Sequence, residues 1–149
     1  MFLFLLLSLQ DATAAEPPRY TACMDLATRE PARGVENAAA WRVDGGGMLA
    51  RQCLGVAYAN LQRWPTAAAA FEEAAQEAAA AQDPRRANYW AQAGNAWLAA
   101  REAAKAKTAL DAALETGALT GLALGEAHLD RARVRVASGD LDGARTDID

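Results

Sequence analysis

Bulky hydrophobic residues recur at intervals along the chain, and alanines occupy most of the positions between them. The stretch 53–75, CLGVAYANLQRWPTAAAAFEEAA, sets Leu54, Tyr58, Trp64 and Phe71 among eight alanines. Alanine is the best helix former and leaves almost no side chain to pack. Helices of this composition can lie very close together where larger residues supply the core, so the pattern predicts tightly packed helices.

The whole chain after its first residues divides into helical segments, with no clear strand pattern. The predicted helices cover residues 19–29, 32–42, 48–63, 66–82, 85–100, 103–116, 122–138 and 141 onward. Three consecutive glycines at 45–47 are predicted to form a flexible linker between the second and third helices. The predicted fold class is therefore all-α, with helices arranged in pairs.

Prolines and glycines mark the boundaries of these segments. Pro31, Pro65 and Pro84 stand where helices are predicted to begin, and a missing backbone N–H costs nothing there. Gly117 and Gly139 follow helical runs, where a residue in the left-handed conformation can end a helix. The punctuation agrees with the hydrophobic pattern.

An internal repeat runs through the second and later helix pairs. The first copy contains Leu54, Gly55, Tyr58, Ala67 and Phe71, the second Trp90, Gly94, Trp97, Ala106 and Leu110, and a weaker third Ala132, Ala144 and Ile148. Gly94 follows Gly55 by 39 residues, and Ala132 follows Gly94 by 38. The repeating unit is therefore a pair of helices of nearly constant length.

This L-G-x-x-Y…A-x-x-x-F pattern resembles the tetratricopeptide repeat (TPR), whose standard length is about 34 residues. The resemblance covers residues 48–149, in copies of about 48–84, 87–121 and 122–149, the last of them incomplete. Residues 16–44 resemble a degenerate first helix pair or a cap. The resemblance implies a TPR-like α-solenoid of stacked antiparallel helix pairs.

Small residues in the repeat are expected to allow close helix packing. Gly55, Gly94 and Ala132 would let the first helix of each pair lie against the second, with bulkier residues filling the volume between them. The third copy departs from the pattern, because Arg131 and Arg135 stand where apolar residues are usual.

The end of the third copy is predicted to expose apolar side chains. Ala144 and Ile148 belong to a second helix that the sequence carries only to Asp149. Repeat arrays need a polar terminal surface. We therefore expect that more chain follows Asp149 or that another protein covers this end.

The first 15 residues are typical of a secretory signal peptide, although no basic residue precedes Phe2. An apolar run from Phe2 to Leu9 is too short for a permanent membrane span, and the small residues that follow suit cleavage near Ala14 or Ala15. The alternative is a buried or disordered tail. The signal peptide predicts a periplasmic or secreted protein.

Two cysteines, Cys23 and Cys53, are the only thiols of the chain. Disulfides persist in the compartments to which a signal peptide leads. The resemblance places both residues in first helices of adjacent repeats, which are neighbours in TPR proteins, so the two can form a disulfide. Two separate buried thiols are the alternative.

Composition and charge exclude several classes of function. The 149 residues are 52% hydrophobic and carry a net charge of -4, so the chain offers no basic surface for nucleic acid. A single histidine, His128, cannot form a metal cluster and lies far along the solenoid from either thiol. We expect no enzyme activity, no metal and no cofactor.

The TPR resemblance implies a concave groove lined by the first helices of the pairs. The expected groove residues are Gln52, Val56, Asn60, Asn88, Asn95, Leu98, Glu126 and Arg133. Amide side chains both donate and accept hydrogen bonds, which suits the backbone of an extended peptide. The alternative is that these are merely exposed helix residues.

The expected function is that of a non-catalytic adaptor or scaffold that binds a protein or peptide in the bacterial periplasm. Two alternatives stay open. The chain is the solenoid part of a longer enzyme or sensor, truncated at Asp149, or it is a structural protein that self-assembles through its C-terminal end.

Overall fold

A computed structural model describes residues 17–149, so the predicted signal peptide lies outside the described residues. The eight helices are α1 (Pro18–Arg29), α2 (Pro31–Val43), α3 (Gly47–Asn60), α4 (Trp64–Ala80), α5 (Arg86–Ala99), α6 (Ala103–Glu115), α7 (Gly121–Ala137) and α8 (Leu141–Ile148). No strand occurs between residues 17 and 149. The predicted all-α fold is confirmed, and each boundary lies within three residues of its predicted position.

Successive helices form a solenoid-like stack of antiparallel pairs. Each helix packs against the next along the chain, and α1 also contacts α3 while α5 contacts α7. We call α1, α3, α5 and α7 the first helices and α2, α4, α6 and α8 the second helices. The first helices line one side of the stack, which places the candidate site.

The second helices all begin with the same backbone conformation. Their N-cap residues are Glu30, Arg63, Glu102 and Asp140, with φ between -136° and -84° and ψ between 66° and 75°. One chain geometry thus turns each first helix into its second helix. The recurrence extends to the pair α1–α2, whose sequence carries the repeat only weakly.

Several helices end on a residue in the left-handed conformation. Glycines at 45 and 139 do this with φ of 85° and 80°, which L-residues adopt only with strain. Gln62, Gln82 and Arg101 hold the same place with φ between 54° and 62°. At these three helix ends the chain therefore adopts the left-handed conformation although the residue is not glycine.

Close packing explains the glycines of the repeat. A Cβ on Gly55 would lie 2.6 Å from Cε1 of Phe71, and one on Gly94 would lie 2.5 Å from Cγ of Leu110. No methyl group fits at either distance. The expected role of these glycines agrees with this geometry, and the alanines at 67 and 106 are fully buried beside them.

The glycines at 45–47 form a short turn into α3, which begins at Gly47, and not the flexible linker that the sequence suggested. The backbone N–H of Gly46 donates to the carbonyl oxygen of Trp41 at 2.9 Å. A Cβ on Gly46 would lie 2.6 Å from Cδ1 of Trp41. Glycine is required here because the backbone lies directly against an aromatic ring.

In the last helix pair, ion pairs between side chains stand where the other pairs have apolar packing. The carboxylate of Asp147 in α8 is only 1% exposed and lies 2.6 Å from Nη2 of Arg131 and 2.9 Å from Nη1 of Arg135. Arg131 also reaches Asp111 of α6 at 3.0 Å. The two arginines that depart from the repeat pattern thus join α7 to α8 and to α6.

The predicted apolar end of the chain needs correction. Ala144 is buried, so it does not contribute to an exposed face. Ile148 is 65% exposed, as expected for this end. Asp147, its neighbour on α8, makes the buried contact with α7 instead.

Candidate binding groove

A groove of about 870 Å³ runs along the side of the stack formed by the first helices. Residues from α1, α3, α5 and α7 line it, together with Trp64 and Phe71 of α4. Seven of the eight residues expected from the resemblance are in the lining, namely Gln52, Val56, Asn60, Asn88, Asn95, Glu126 and Arg133. Leu98 is not in the lining, because its side chain is partly buried against the hydrophobic core.

Hydrogen bonds between side chains link three first helices across the groove. The Tyr20 hydroxyl of α1 donates to Oε1 of Gln52 in α3 at 2.8 Å. Nε2 of Gln52 donates in turn to Oε1 of Gln92 in α5 at 3.2 Å. This chain orients the amides of the groove wall before any ligand is present.

A second polar group joins α5 to α7 at the other end of the groove. Nδ2 of Asn95 donates to Oδ2 of Asp130 at 2.9 Å, and Nη1 of Arg133 donates to Oδ1 of the same carboxylate at 2.8 Å. Asp130 is buried, and a buried carboxylate requires such partners. Asn95 and Arg133 therefore have a structural role beside any contact with a ligand.

Asn60 is engaged in the fold rather than directed only at the groove. Its Nδ2 donates at 2.9 Å to the carbonyl oxygen of Ala27. Ala27 lies in the last turn of α1, where carbonyl groups have no partner within the helix. Asn60 thus completes the end of α1 and holds that helix against α3.

Asn88 of α5 is the amide that remains most available to a ligand. Its side chain is exposed, lines the groove, and makes no hydrogen bond within residues 17–149. An amide in this state offers two donors and one acceptor. Asn88 is therefore the position at which a change should affect binding without disturbing the fold.

Most of the charges along the groove are neutralised by neighbours. Arg85 donates to Asp83 through Nε at 2.9 Å and Nη2 at 2.5 Å, and these hydrogen bonds lower the pKa of Asp83 although burial opposes the shift. Arg133 is paired with Asp130. Glu126 alone among the charged lining residues has no ion pair within the described chain. The groove thus suits a ligand recognised by hydrogen bonds more than by charge.

A disulfide joins Cys23 of α1 to Cys53 of α3, and both residues are fully buried. It lies one helical turn from Tyr20 and next to Gln52 in sequence. Together with the contact between Asn60 and Ala27, it fixes α1 as one wall of the groove.

Five polar residues of the lining were not expected from the sequence, namely Tyr20, Arg85, Tyr89, Gln92 and Asp130. Tyr20 belongs to the degenerate first pair, for which no register was assigned, and Gln92 and Asp130 each lie one helical turn from an expected residue. A signal for Tyr20 was present, since a disulfide between Cys23 and Cys53 brings the turn before Cys23 beside Gln52. Nothing in the sequence marks Asp130 as buried.

The described residues contain neither a metal cluster nor a membrane span. No group of three or more His, Cys, Asp or Glu side chains between residues 17 and 149 is arranged to hold a metal ion. None of the eight helices is long and apolar enough to cross a membrane.

Comparison with known proteins adds no family to this picture. No family model matches the chain. No curated protein matches it either.

Proposed function

We propose that this protein is a TPR-like adaptor that binds an extended peptide segment of a partner protein in the groove of its first helices. The observation that carries the proposal is the groove itself, about 870 Å³ in volume and lined by amide side chains from successive first helices. A peptide backbone presents alternating donors and acceptors, which such amides can satisfy.

The arrangement of the wall supports a preorganised site. Tyr20, Gln52 and Gln92 already hold one another in place, so a ligand would not have to order them. Preorganisation reduces the entropy that binding costs. The polar groups of Gln92 and Asn88 that remain unused are then available to the backbone of the ligand.

A non-catalytic role is supported by the state of the nucleophilic groups. Both thiols are consumed in the disulfide. Nδ1 of His128 lies 3.2 Å from Asp147 at the far end of the stack, outside the groove. We therefore propose binding, and not chemistry, as the function of the groove.

We further propose that the protein works outside the cytoplasm, in the periplasm or after secretion. The disulfide between Cys23 and Cys53 supports this proposal because such bonds persist in oxidising compartments. Labelling of the mature N-terminus in the producing cell would test it, and a start near residue 15 or 16 is the expected result.

A peptide selection tests the binding proposal. Peptides would be selected against the chain from a random library and their affinities measured for wild type, for Asn88→Ala/Gln92→Ala and for Gln76→Ala. Gln76 is an exposed amide of α4 that does not line the groove. We expect the double variant to lose at least about tenfold in affinity and the control to lose none. Equal affinities for all three proteins would reject the groove as the site.

A further inference from the structure

Large apolar side chains that remain exposed are concentrated at one end of the stack. Five of the six in residues 17–149 belong to the last helix pair, namely Leu122, Leu129 and Val136 of α7 and Leu141 and Ile148 of α8. Their exposed fractions lie between 43% and 78%. We call these five residues the end face.

The members of the end face are aligned along their helices. Leu122, Leu129 and Val136 are spaced by seven residues and therefore lie on one side of α7. Leu141 and Ile148 share one side of α8 by the same spacing. Aligned apolar residues of this size on a surface mark an interaction site more often than scattered ones do.

The equivalent residues of α5, in the preceding repeat, indicate the role of this side of α7. An offset of 38 residues places Leu129 at the position of Ala91, Arg133 at that of Asn95, and Val136 at that of Leu98. In α5, Asn95 donates to Asp130 of α7, and Leu98 packs in the core shared with α7. The same side of α7 is therefore built as a helix-packing surface, and no described helix covers it.

Two charged residues give this surface a symmetric pattern. The exposed residues of α7 that are larger than alanine are Leu122, Glu126, Leu129, Arg133 and Val136. In order they are apolar, acidic, apolar, basic and apolar. Glu126 has no ion pair within residues 17–149. Arg133 uses one nitrogen for Asp130 and keeps its other donors. If a second α7 helix lies antiparallel to the first and the two cross at Leu129, Glu126 of each helix lies opposite Arg133 of the other. Leu122 of each helix then lies opposite Val136 of the other.

We propose that a second copy of this chain packs on the end face, with the two α7 helices antiparallel about a two-fold axis at Leu129. Leu129 then meets Leu129 of the second copy, and Leu122 meets Val136. Glu126 pairs with Arg133 across the interface, once on each side of the axis. Such an isologous contact closes on itself and yields a dimer, not a filament.

The proposed contact also includes the exposed residues of α8, Leu141 and Ile148. Ion pairs from Asp147 to Arg131 and Arg135 hold α8 against α7.

Glu126, Leu129 and Arg133 also line the α7 end of the peptide groove, so the proposed interface adjoins that groove. Asn88 and Gln92, which test peptide binding, lie on α5 outside the end face, so the two proposals are tested with different variants.

The mass of the 149-residue chain in solution, measured by sedimentation equilibrium over a range of concentrations, tests the proposal. Wild type is expected to be a dimer. Leu129→Glu puts two like charges at the two-fold axis and is expected to weaken dimerisation at least about a hundredfold. Val43→Glu is the matched control, since Val43 is 82% exposed and does not belong to the end face. It should leave the dimer intact.

A change of charge at Glu126 tests the antiparallel arrangement and leaves the bond between Arg133 and Asp130 intact. Glu126→Arg places arginine opposite arginine and should weaken the dimer at least about tenfold, whereas Glu126→Asp keeps the charge and should leave the dimer intact. Thermal unfolding identifies any variant that does not fold, in which case Leu122→Glu replaces Leu129→Glu. A monomeric wild type, or a dimer that survives both Leu129→Glu and Leu122→Glu, overturns the proposal. A dimer that Glu126→Arg does not weaken overturns the arrangement.

Discussion

Nη2 of Arg131 in α7 lies 2.6 Å from Oδ1 of Asp147 in α8, and the carboxylate of Asp147 is almost completely withdrawn from solvent. Arg131 occupies a place where the repeat pattern leads one to expect an apolar residue. The charge is tolerated because Asp147 and Asp111 both bind the same guanidinium group. The last helix pair is therefore held together by a network of ion pairs that share the same side chains.

The first prediction concerns Asp147→Asn. The change leaves Arg131 and Arg135, each 18% exposed, without their main counter-charge. Removing one partner of a buried ion pair is strongly destabilising, so we expect the free energy of unfolding to fall by about 3 kcal/mol. Urea denaturation measures it. Asp142→Asn on the exposed side of α8 is the control, and an equal loss in both variants would contradict the assigned role.

The same cluster predicts sensitivity to acid. Burial raises the pKa of Asp147, but hydrogen bonds from Arg131 and His128 outweigh it, and the pKa in the fold is lower than normal. Burial also raises the pKa of Asp111, but hydrogen bonds from Lys107 and Arg131 outweigh it, and the pKa of Asp111 is lowered. A carboxyl with a lowered pKa stabilises the fold above its unfolded pKa of about 4, and the contribution disappears as the pH falls through the folded pKa.

We therefore expect the melting temperature to decline below about pH 4 and the decline to be shallower in Asp147→Asn, which has already lost this contribution. Calorimetry between about pH 2 and pH 7 measures both curves. Parallel curves for the two proteins would show that Asp147 is not a source of the acid sensitivity.

Gly94 is a position where alanine should destabilise the protein, although alanine is normally the better helix former. Gly94→Ala improves helix propensity but brings a Cβ to 2.5 Å from Leu110, and the clash should cost about 1–3 kcal/mol net. Gly125→Ala in α7 is the matched control, because nothing lies within 4 Å of its Cβ position. It should stabilise by about 0.5–1 kcal/mol. Melting temperatures that move in the same direction would refute the close packing.

The disulfide between Cys23 and Cys53 is expected to stabilise α1 against α3. Cys23→Ala/Cys53→Ala opens a loop of 30 residues, which should lower the free energy of unfolding by about 3–4 kcal/mol. Reduction of the wild type should reproduce the loss and should have no effect on the double variant. If reduction leaves the wild-type urea midpoint unchanged, α1 is held by its other contacts instead.

The order of the helices could be predicted from sequence because each boundary carries a local signal. Pro31 and Pro65 lie in the first turn of α2 and α4, and Gly117 and Gly139 take positive φ as expected. Pro84 is less informative, since α5 begins only at Arg86. Local signals placed the helices to within three residues.

Contacts between helices were harder to predict, because they depend on which side of a helix faces which neighbour. Asn95 of α5 was expected to line the groove, but its partner Asp130 lies 35 residues later, on α7, and was not expected there. Arg131, Arg135 and Asp147 lie on three different turns, and no spacing in the sequence indicates that they meet. Side-chain pairing across the stack therefore required the structure.

Site-specific photo-crosslinking shows whether a partner binds in the groove. A photoreactive amino acid at position 88, in the groove, or at position 76, on α4, would be activated in the producing cell. We expect a discrete crosslinked species from position 88 and none from position 76. Crosslinks of the same partner from position 76, with none from position 88, would contradict the claim that the concave side of the first helices is the binding site.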